Sequence, residues 1–416
     1  MEATAETLPW SNLKKIAFRF AATYFIIYMG ASASEMVGAP FEPVVQWVGK
    51  SILHMSTPID AKQNGSGDTS YYYVVQFISM VLTVVASIVW TIADRRRTSY
   101  HRMLYWITAM VRYYLAFFLL VYGYSKFSGG QFSTPGLARL IQPYGESSPM
   151  GLAWTFLGFS PAFGVFMGVF ESLGGVLMLF RRTTLLGACI ATTVTTNIVL
   201  INFCYDVPVK LFSSHLLLMC IFVIAVGGKR LLDFFLFNKP VPPEVLSPVF
   251  HSRKWKITRI VVKIFFILFV TVFPIVLIIN ENAEYGDEAK PALYGIYAVQ
   301  EFIRNNDTIP PLTTDSTRWD KLLIEYEGSA VLYTMTGQKK FVALETDTAL
   351  KILTMYSYND TAHKYTLSYT FADSTLMVNG LWKQDTVSIR MHLYDEKKLL
   401  LVNRGFHWIN EYPFNR

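Results

Sequence analysis

The chain has 416 residues, of which 52% are hydrophobic and 16% charged, and its net charge is +7. Several apolar runs reach the roughly 20 residues that a helix needs to cross about 30 Å of hydrocarbon. This composition excludes an ordinary soluble globular protein and predicts a polytopic membrane protein.

The apolar runs predict an all-α transmembrane helix bundle of about seven spans. The first run is expected to stay as an anchor, because no small-residue cleavage site follows it cleanly. The hydropathy pattern places the seven spans at about 16–38, 73–93, 103–122, 160–180, 184–203, 212–235 and 257–280.

The basic residues of the connecting segments predict the orientation, because Lys and Arg accumulate in short cytoplasmic loops. With the N-terminus inside, sixteen basic residues fall on the cytoplasmic side and five fall on the other side before the last span. We therefore expect a multi-pass protein of the bacterial cytoplasmic (inner) membrane, with its N-terminus cytoplasmic and its C-terminal domain extracytoplasmic.

The positive charge belongs to the apolar part of the chain. Residues 1–280 have a net charge of +11, and residues 281–416 have a net charge of −4. The basic surplus therefore indicates topology and a match to membrane lipid headgroups. No nucleic-acid motif is present, so we expect no nucleic-acid partner.

Two charged residues lie within predicted spans. Arg112 is about 14 Å from the start of the third span, and Glu171 is about 15 Å from the same face on the fourth span. Glu171 shares one helical stripe with Gly164, Gly168 and Gly175, so it is expected to face protein. The matching depths predict an intramembrane charge pair between Arg112 and Glu171. Such a pair is either a structural tie or the floor of a polar cavity.

Polar residues also gather near the extracytoplasmic ends of three spans. They lie just after the third span, at the end of the fifth and at the start of the sixth. Their number is larger than a few headgroup anchors would require. These residues form a candidate outer-leaflet pocket, whose members are Tyr124, Lys126, Gln131, Asn197, Asn202, Asp206, Lys210 and His215.

After residue 280 the composition changes to that of a β-rich domain at 281–416. A linker is expected first, then a short amphipathic helix from about Ala292 to Asn305. Eight short runs separated by turn residues follow, from "WDKLLIEYE" to "KLLLVNRGF". They predict an antiparallel sandwich or barrel. The closing segment "RGFHWINEYPFNR" is expected to be packed.

Cysteine and histidine patterns give little sign of chemistry. Cys189, Cys204 and Cys220 do not form a CxxC pair, which favours inert thiols over a redox couple. The histidines of the β-rich domain lack metal-ligand spacing, so no metal site is predicted.

Three segments together resemble the DoxX-like family of membrane proteins. They are "YGYSKFSGGQF", the stretch around Glu171 with Arg181 and Arg182, and "NIVLINFCYDVPVKLFSSHLLL". The resemblance covers about Arg112 to Val226 and implies a four-helix unit at about 103–235. It also implies a link to thiosulfate:quinone oxidoreductase subunits, thiol systems, or chaperones and cargo receptors without redox chemistry. Three additional spans and the β-rich domain depart from the small members.

The sequence is compatible with two functions. The first is a quinone-linked oxidoreductase subunit or accessory, with quinone as the possible cofactor in the outer pocket and a redox partner protein supplying electrons. The second is a non-catalytic chaperone or a module that binds lipid or a client protein and displays its β-rich domain outside. A transporter is less favoured, because no inverted repeat or broken-helix pattern is visible.

Overall fold

The computed structural model describes residues 9–36, 38–61, 64–127, 129–241, 252–285 and 290–415. The chain divides into two compact units. The helical unit comprises 1–133 and 148–278. The barrel unit comprises 134–147 and 279–416, so it includes a segment from the connection between two helices of the other unit.

Seven helices of the described chain are long and apolar enough to cross a membrane, as predicted. Two short helices, Glu42–Trp47 (α2) and Pro149–Phe159 (α6), lie between them, and a π-helical turn, Leu232–Leu236, extends the sixth. The seven are Asn12–Met36 (α1), Ser70–Ala93 (α3), His101–Phe127 (α4), Pro161–Met178 (α7), Thr184–Cys204 (α8), Lys210–Leu231 (α9) and Arg253–Tyr285 (α10).

The long helix α3 buries small polar side chains at its helix contacts and exposes much of its apolar surface. On α3, Ser79, Thr83 and Ser87 form a buried stripe at a spacing of four, whereas Val85 and Ile88 are exposed. Small and hydroxyl side chains at helix contacts, with apolar surface outside, are typical of membrane helices. The pattern therefore supports a lipid environment around this unit.

Glycines bring α4 and α7 close together. A Cβ added at Gly168 would lie 2.6 Å from the carbonyl oxygen of Gly123, and one at Gly175 would lie 3.2 Å from that of Ala116. These contacts run in opposite directions along the two helices, so α4 and α7 are antiparallel. The small-residue stripe predicted on α7 is buried, including Glu171.

The second unit is a closed antiparallel barrel. Successive strands pair from β3 to β9, and Gly295–Arg304 (β1) pairs with both β3 and β9. The short strand Asp307–Thr308 (β2) adds only to β1. The remaining strands are Trp319–Ile324 (β3), Ser329–Thr334 (β4), Lys339–Asp347 (β5), Ile352–Ser357 (β6), Asp360–Ala372 (β7), Thr375–Trp382 (β8) and Asp385–Tyr394 (β9).

Apolar side chains fill the interior of the barrel, which is typical of barrels of this size. Leu322, Leu353, Leu376 and Ile389 are fully buried there. On the outside, the segment at 134–147 contributes a short helix, Leu137–Leu140 (α5), whose Leu137 packs with Ile296, Leu323 and Tyr333.

The predicted helix from Ala292 to Asn305 is wrong, because these residues contain β1. Alternating side chains of β1 enter the core, and its two edges bond to β3 and β9. Pairing on both sides outweighs the local amphipathic pattern. The linker predicted after residue 280 is helical as far as Tyr285, and residues 286–289 lie outside the described residues.

The end of the chain also differs from the expectation. The last predicted strand, "KLLLVNRGF", begins at the last residue of a 3-10 turn, Glu396–Lys398, and contains a short helix at Leu400–Asn403 (α11). The barrel is already closed by β1, so this run has no strand edge to join. The terminal segment is not packed, since Trp408 is 91% exposed and Phe406 is 79% exposed.

Candidate functional site in the helical unit

A buried ion pair joins α4 and α7. Lys126, in the last turn of α4, is 7% exposed, and Glu171 is 2% exposed. Their Nζ and Oε2 atoms are 2.7 Å apart. Lys126 also donates a hydrogen bond of 2.7 Å to Oε1 of Gln131. These three side chains form the Lys126 network, in which the ammonium neutralises the buried carboxylate.

The structure corrects the predicted pairing of Glu171 with Arg112. The Nε atom of Arg112 donates to the carbonyl oxygen of Met178 at 2.8 Å, two helical turns from Glu171. Side chains lean toward the N-terminus of their helix. On antiparallel helices, Lys126 therefore reaches into the bundle and Glu171 reaches toward it, while Arg112 leans away. The predicted pair rested only on the equal distances of Arg112 and Glu171 from the span ends, which do not show where their side chains point.

A second network joins α1, α3 and α9. The Nδ1 atom of His215 lies 2.7 Å from the carbonyl oxygen of Leu211, which can only accept a hydrogen bond, so Nδ1 is the protonated nitrogen. In a neutral imidazole Nε2 then accepts from the hydroxyl of Tyr24 at 2.5 Å. The amide of Gln76 donates to the same hydroxyl at 2.7 Å, and the ring of Tyr28 stacks on His215 at 4.0 Å.

Gln76, Tyr24 and His215 are named here the His215 network. Of these three residues, only His215 was predicted from the sequence; Tyr24 and Gln76 were not. Gln76 was detectable as an amide inside the apolar run of α3, and Tyr24 and Tyr28 as two aromatic residues one helical turn apart. An amide buried in an apolar helix usually has a hydrogen-bond partner.

A cavity of about 280 Å³ lies beside the His215 network, and we refer to it as the polar cavity. Tyr28 and Gln76 line one part of it, and Tyr122 lines another. The ring of Tyr122 lies 5.9 Å from the ammonium nitrogen of Lys126. Glu35 also lines the cavity and accepts a hydrogen bond of 2.9 Å from the hydroxyl of Tyr71. Phenols, an amide and a carboxylate thus surround a space of ligand size.

The structure divides the eight residues of the predicted pocket among different places. Lys126 and Gln131 form one network and His215 belongs to another. The amide of Asn202 donates to the hydroxyl of Ser213 at 2.9 Å. Asn197 is exposed on α8, and the ring of Tyr124 lies against Phe127.

Asp206 and Lys210, the remaining two, form an ion pair of 2.7 Å in which Asp206 is exposed. Asp68 caps the start of α9, since its carboxylate accepts hydrogen bonds from the backbone N–H groups of Lys210 and Leu211 at 2.8 and 3.0 Å. This cluster has the form of a helix-terminus cap, which needs no ligand.

The described residues form neither a disulfide nor a cluster of metal ligands. The three cysteines are free thiols, of which Cys220 is buried and Cys204 is exposed. Within the described ranges, no group of three or more His, Cys, Asp or Glu side chains is arranged to hold a metal ion.

Comparison with known proteins identifies a bacterial relative. No family model matches the chain, and no solved structure matches it at a significant level. A stretch of 131 residues, 31% of this chain, is 37% identical to the uncharacterized protein YwoB of Bacillus subtilis (strain 168) and covers 82% of that protein. The chain belongs to the YwoB family. YwoB is uncharacterized, so this membership supplies no activity, and the DoxX-like resemblance stays a prediction.

Proposed function

We propose that this chain is a DoxX-like integral membrane protein that binds a quinone headgroup in the polar cavity, as a subunit or accessory of an oxidoreductase. The observation that carries the proposal is the cavity itself, which combines phenolic and amide hydrogen-bond donors with aromatic walls. A quinone presents two acceptor oxygens on a flat apolar ring. Donors aimed at those oxygens stabilise the negative charge that develops on reduction.

The residues of this chain would hold the ring and handle protons. The amide of Gln76 has a second N–H beyond the one it gives to Tyr24, and the hydroxyls of Tyr28 and Tyr122 are further donors. Glu35 is the carboxyl group in the lining that can hold and release a proton. Reduction of a quinone consumes two electrons and two protons, and a partner protein would supply the electrons. This assignment moves the quinone site from the predicted outer pocket near Lys126, Asn202 and Asp206 to the polar cavity.

We also propose that the polar cavity opens toward the extracytoplasmic leaflet of a bacterial inner membrane. The sixteen-to-five distribution of basic residues supports this orientation. Chain connectivity supports it too. The barrel unit follows the last of seven long helices, and it includes residues 134–147 from the connection after the third. Four of the seven long helices lie between these two connections. An even number of spans returns the chain to the same side of the membrane, so both connections are on one side.

The test is binding of a short-chain ubiquinone analogue to the protein purified in neutral detergent. Gln76→Leu should weaken binding by about tenfold, the value of one hydrogen bond to a quinone oxygen. Asn197→Leu is the matched control, since it removes an exposed amide away from the cavity and should leave binding unchanged. Equal affinity of the two variants would reject the site.

A second function is favoured by a different observation. The closed barrel has a filled interior, and the chain after it exposes Phe406, Trp408, Ile409 and Tyr412. Exposed aromatic side chains are common at protein and membrane interfaces. A non-catalytic module that binds lipid or a client protein fits this feature. Mass spectrometry of gently purified protein separates the two functions, because retained quinone supports the first and a retained client protein the second.

A further inference from the structure

A larger cavity lies at the other end of the helical unit, where α4 begins and α7 ends. Its volume is about 1000 Å³, at the upper end of typical ligand pockets. Side chains from α4, α10 and the end of α7 form its wall. We refer to it as the basic cavity, because five cationic residues line it, namely Arg112, Arg181, Arg182, Arg259 and Lys263. Among the described lining residues, none is Asp or Glu.

Aromatic rings hold several of these cations in place. The guanidinium of Arg181 lies 5.0 Å from the ring centre of Tyr105, and the ammonium of Lys263 lies 4.4 Å from that of Phe180. Arg112, which is 6% exposed, lies 5.5 Å from the ring of Tyr113. Such contacts attract a cation to a ring face but do not cancel its charge. The cavity therefore concentrates positive charge at fixed positions.

Like charges around one partly desolvated space repel one another, and an anion bound among them would relieve that repulsion. Arginine is well suited to phosphate, because its planar guanidinium donates two parallel hydrogen bonds. The chemistry of the wall thus selects an anionic group with several acceptor oxygens.

The rest of the wall selects an amphiphile. Met110, Ile260 and Ile264 line the same cavity and are 46%, 51% and 52% exposed. Trp106 and Trp255 also line it, and tryptophan is enriched where membranes meet water. A ligand with an anionic head and an apolar tail would contact both kinds of surface, whereas a free anion would use only the basic residues.

We propose that the basic cavity binds the phosphate headgroup of one anionic phospholipid, with the acyl chains along Met110, Ile260 and Ile264. Basic pockets between membrane helices on the cytoplasmic side are suited to such headgroups. The ligand is a lipid of the leaflet on the basic side of the membrane. This site is separate from the polar cavity and does not depend on the quinone proposal.

The experiment is native mass spectrometry of the full chain in neutral detergent, titrated with palmitoyl-oleoyl phosphatidylglycerol or with the phosphatidylcholine of the same chains. The wild-type protein should retain one phosphatidylglycerol about tenfold more tightly than phosphatidylcholine. The double variant Arg259→Gln/Lys263→Gln should lose that preference. The matched control Lys254→Gln/Lys256→Gln removes two exposed cations of the same helix outside the cavity, so it should retain the preference within about twofold.

Each alternative outcome overturns the proposal. Equal retention of the two lipids by the wild-type protein rejects an anionic site, and this comparison needs no variant to fold. The melting temperature of both double variants is first checked without lipid. An equal loss of the preference for phosphatidylglycerol in both variants would mean that net charge, and not the cavity, determines lipid binding. Displacement of phosphatidylglycerol by millimolar inorganic phosphate would show a free anion site instead of a lipid site.

Discussion

The helix α3 of the helical unit and the strands of the barrel unit differ in which side chains they bury. On α3 the buried stripe is Ser79, Thr83 and Ser87, and the exposed positions include Leu82, Val85 and Ile88. In the barrel the buried positions are mostly large apolar residues, such as Leu322, Met355 and Ile389, and most charged side chains are exposed. The net charges also differ, with +11 in residues 1–280 and −4 in residues 281–416.

This difference shows that the surrounding solvent decides which residues are buried. Burial of apolar surface drives folding in water, and the barrel follows that rule. Lipid tails are as apolar as leucine, so helices in a bilayer associate through close packing and polar contacts. In the helical unit, glycine contacts and the Lys126 network serve this purpose. The two units should therefore respond oppositely to the same kinds of substitution.

The largest effect is expected from the Lys126 network. Glu171→Gln leaves a buried ammonium without its carboxylate and should destabilise the protein by about 3 to 5 kcal/mol. Lys126→Met together with Glu171→Gln should recover much of that loss. Thermal or denaturant unfolding in detergent, measured on the single and double variants, gives the coupling energy.

Two other pairs serve as controls for that cycle. Lys210→Met and Asp206→Asn break an ion pair whose carboxylate is exposed, so their coupling should stay below about 1 kcal/mol. Arg112→Met with Glu171→Gln should show little coupling, because the two side chains lean apart. Strong coupling between Arg112 and Glu171 would contradict the pairing described here.

A smaller effect separates the two cores directly. Leu376 is fully buried in the barrel, so Leu376→Ala should cost about 2 to 5 kcal/mol. Leu82 is 51% exposed on α3, and Leu82→Ala should change stability by no more than about 0.5 kcal/mol. Unfolding of each unit is followed by its own circular dichroism signal. A large loss at Leu82 would indicate that its face of α3 is packed against protein instead of lipid.

The sequence predicted much of the fold because hydropathy and alternation are local signals. Seven spans and seven of the barrel strands were recognised from such runs. The strand β1 was missed because its conformation is set by pairing with β3 and β9, which lie far apart in the chain. The final run was assigned as a strand although the barrel was already complete without it.

The candidate site was less predictable, because it depends on helix register. The polar residues Lys126, Gln131 and His215 were identified. The ion pair of Lys126 with Glu171 and the hydrogen bond of His215 with Tyr24 were not predicted. The pairing of Lys126 with Glu171 follows from the antiparallel approach of α4 and α7 and from the direction of their side chains. Tyr24 bonds to His215, and Gln76 bonds to Tyr24, from helices that are distant in sequence. Depth counted from span ends cannot supply such contacts.

The smallest expected effect lies in the barrel and depends on pH. Asp315 accepts hydrogen bonds from the hydroxyl and N–H of Thr317 and from the N–H of Arg318, which lower its pKa to about 2. A carboxyl with a lowered folded-state pKa stabilises above its unfolded pKa of about 3.9, and this contribution is lost as pH falls through about 2.

Asp315→Ala should therefore cost about 1 kcal/mol at pH 6 and almost nothing near pH 2, after allowance for solvent screening. Urea unfolding of the barrel at several pH values measures this difference. Asp373→Asn, at an exposed turn, is the control and should show no such trend. A cost for Asp315→Ala that is equal at both pH values would rule out the carboxylate as its source.

The central proposal is that the helical unit spans a membrane and that the barrel lies on its extracytoplasmic side. It is tested most directly by two fusions of a reporter that is active only outside the cytoplasm, one after residue 416 and one within 238–241. The account predicts activity for the first fusion and none for the second, because seven helices that could each cross a membrane precede the barrel and the N-terminus is proposed to be cytoplasmic. Activity of the second fusion, with an inactive first one, would contradict it.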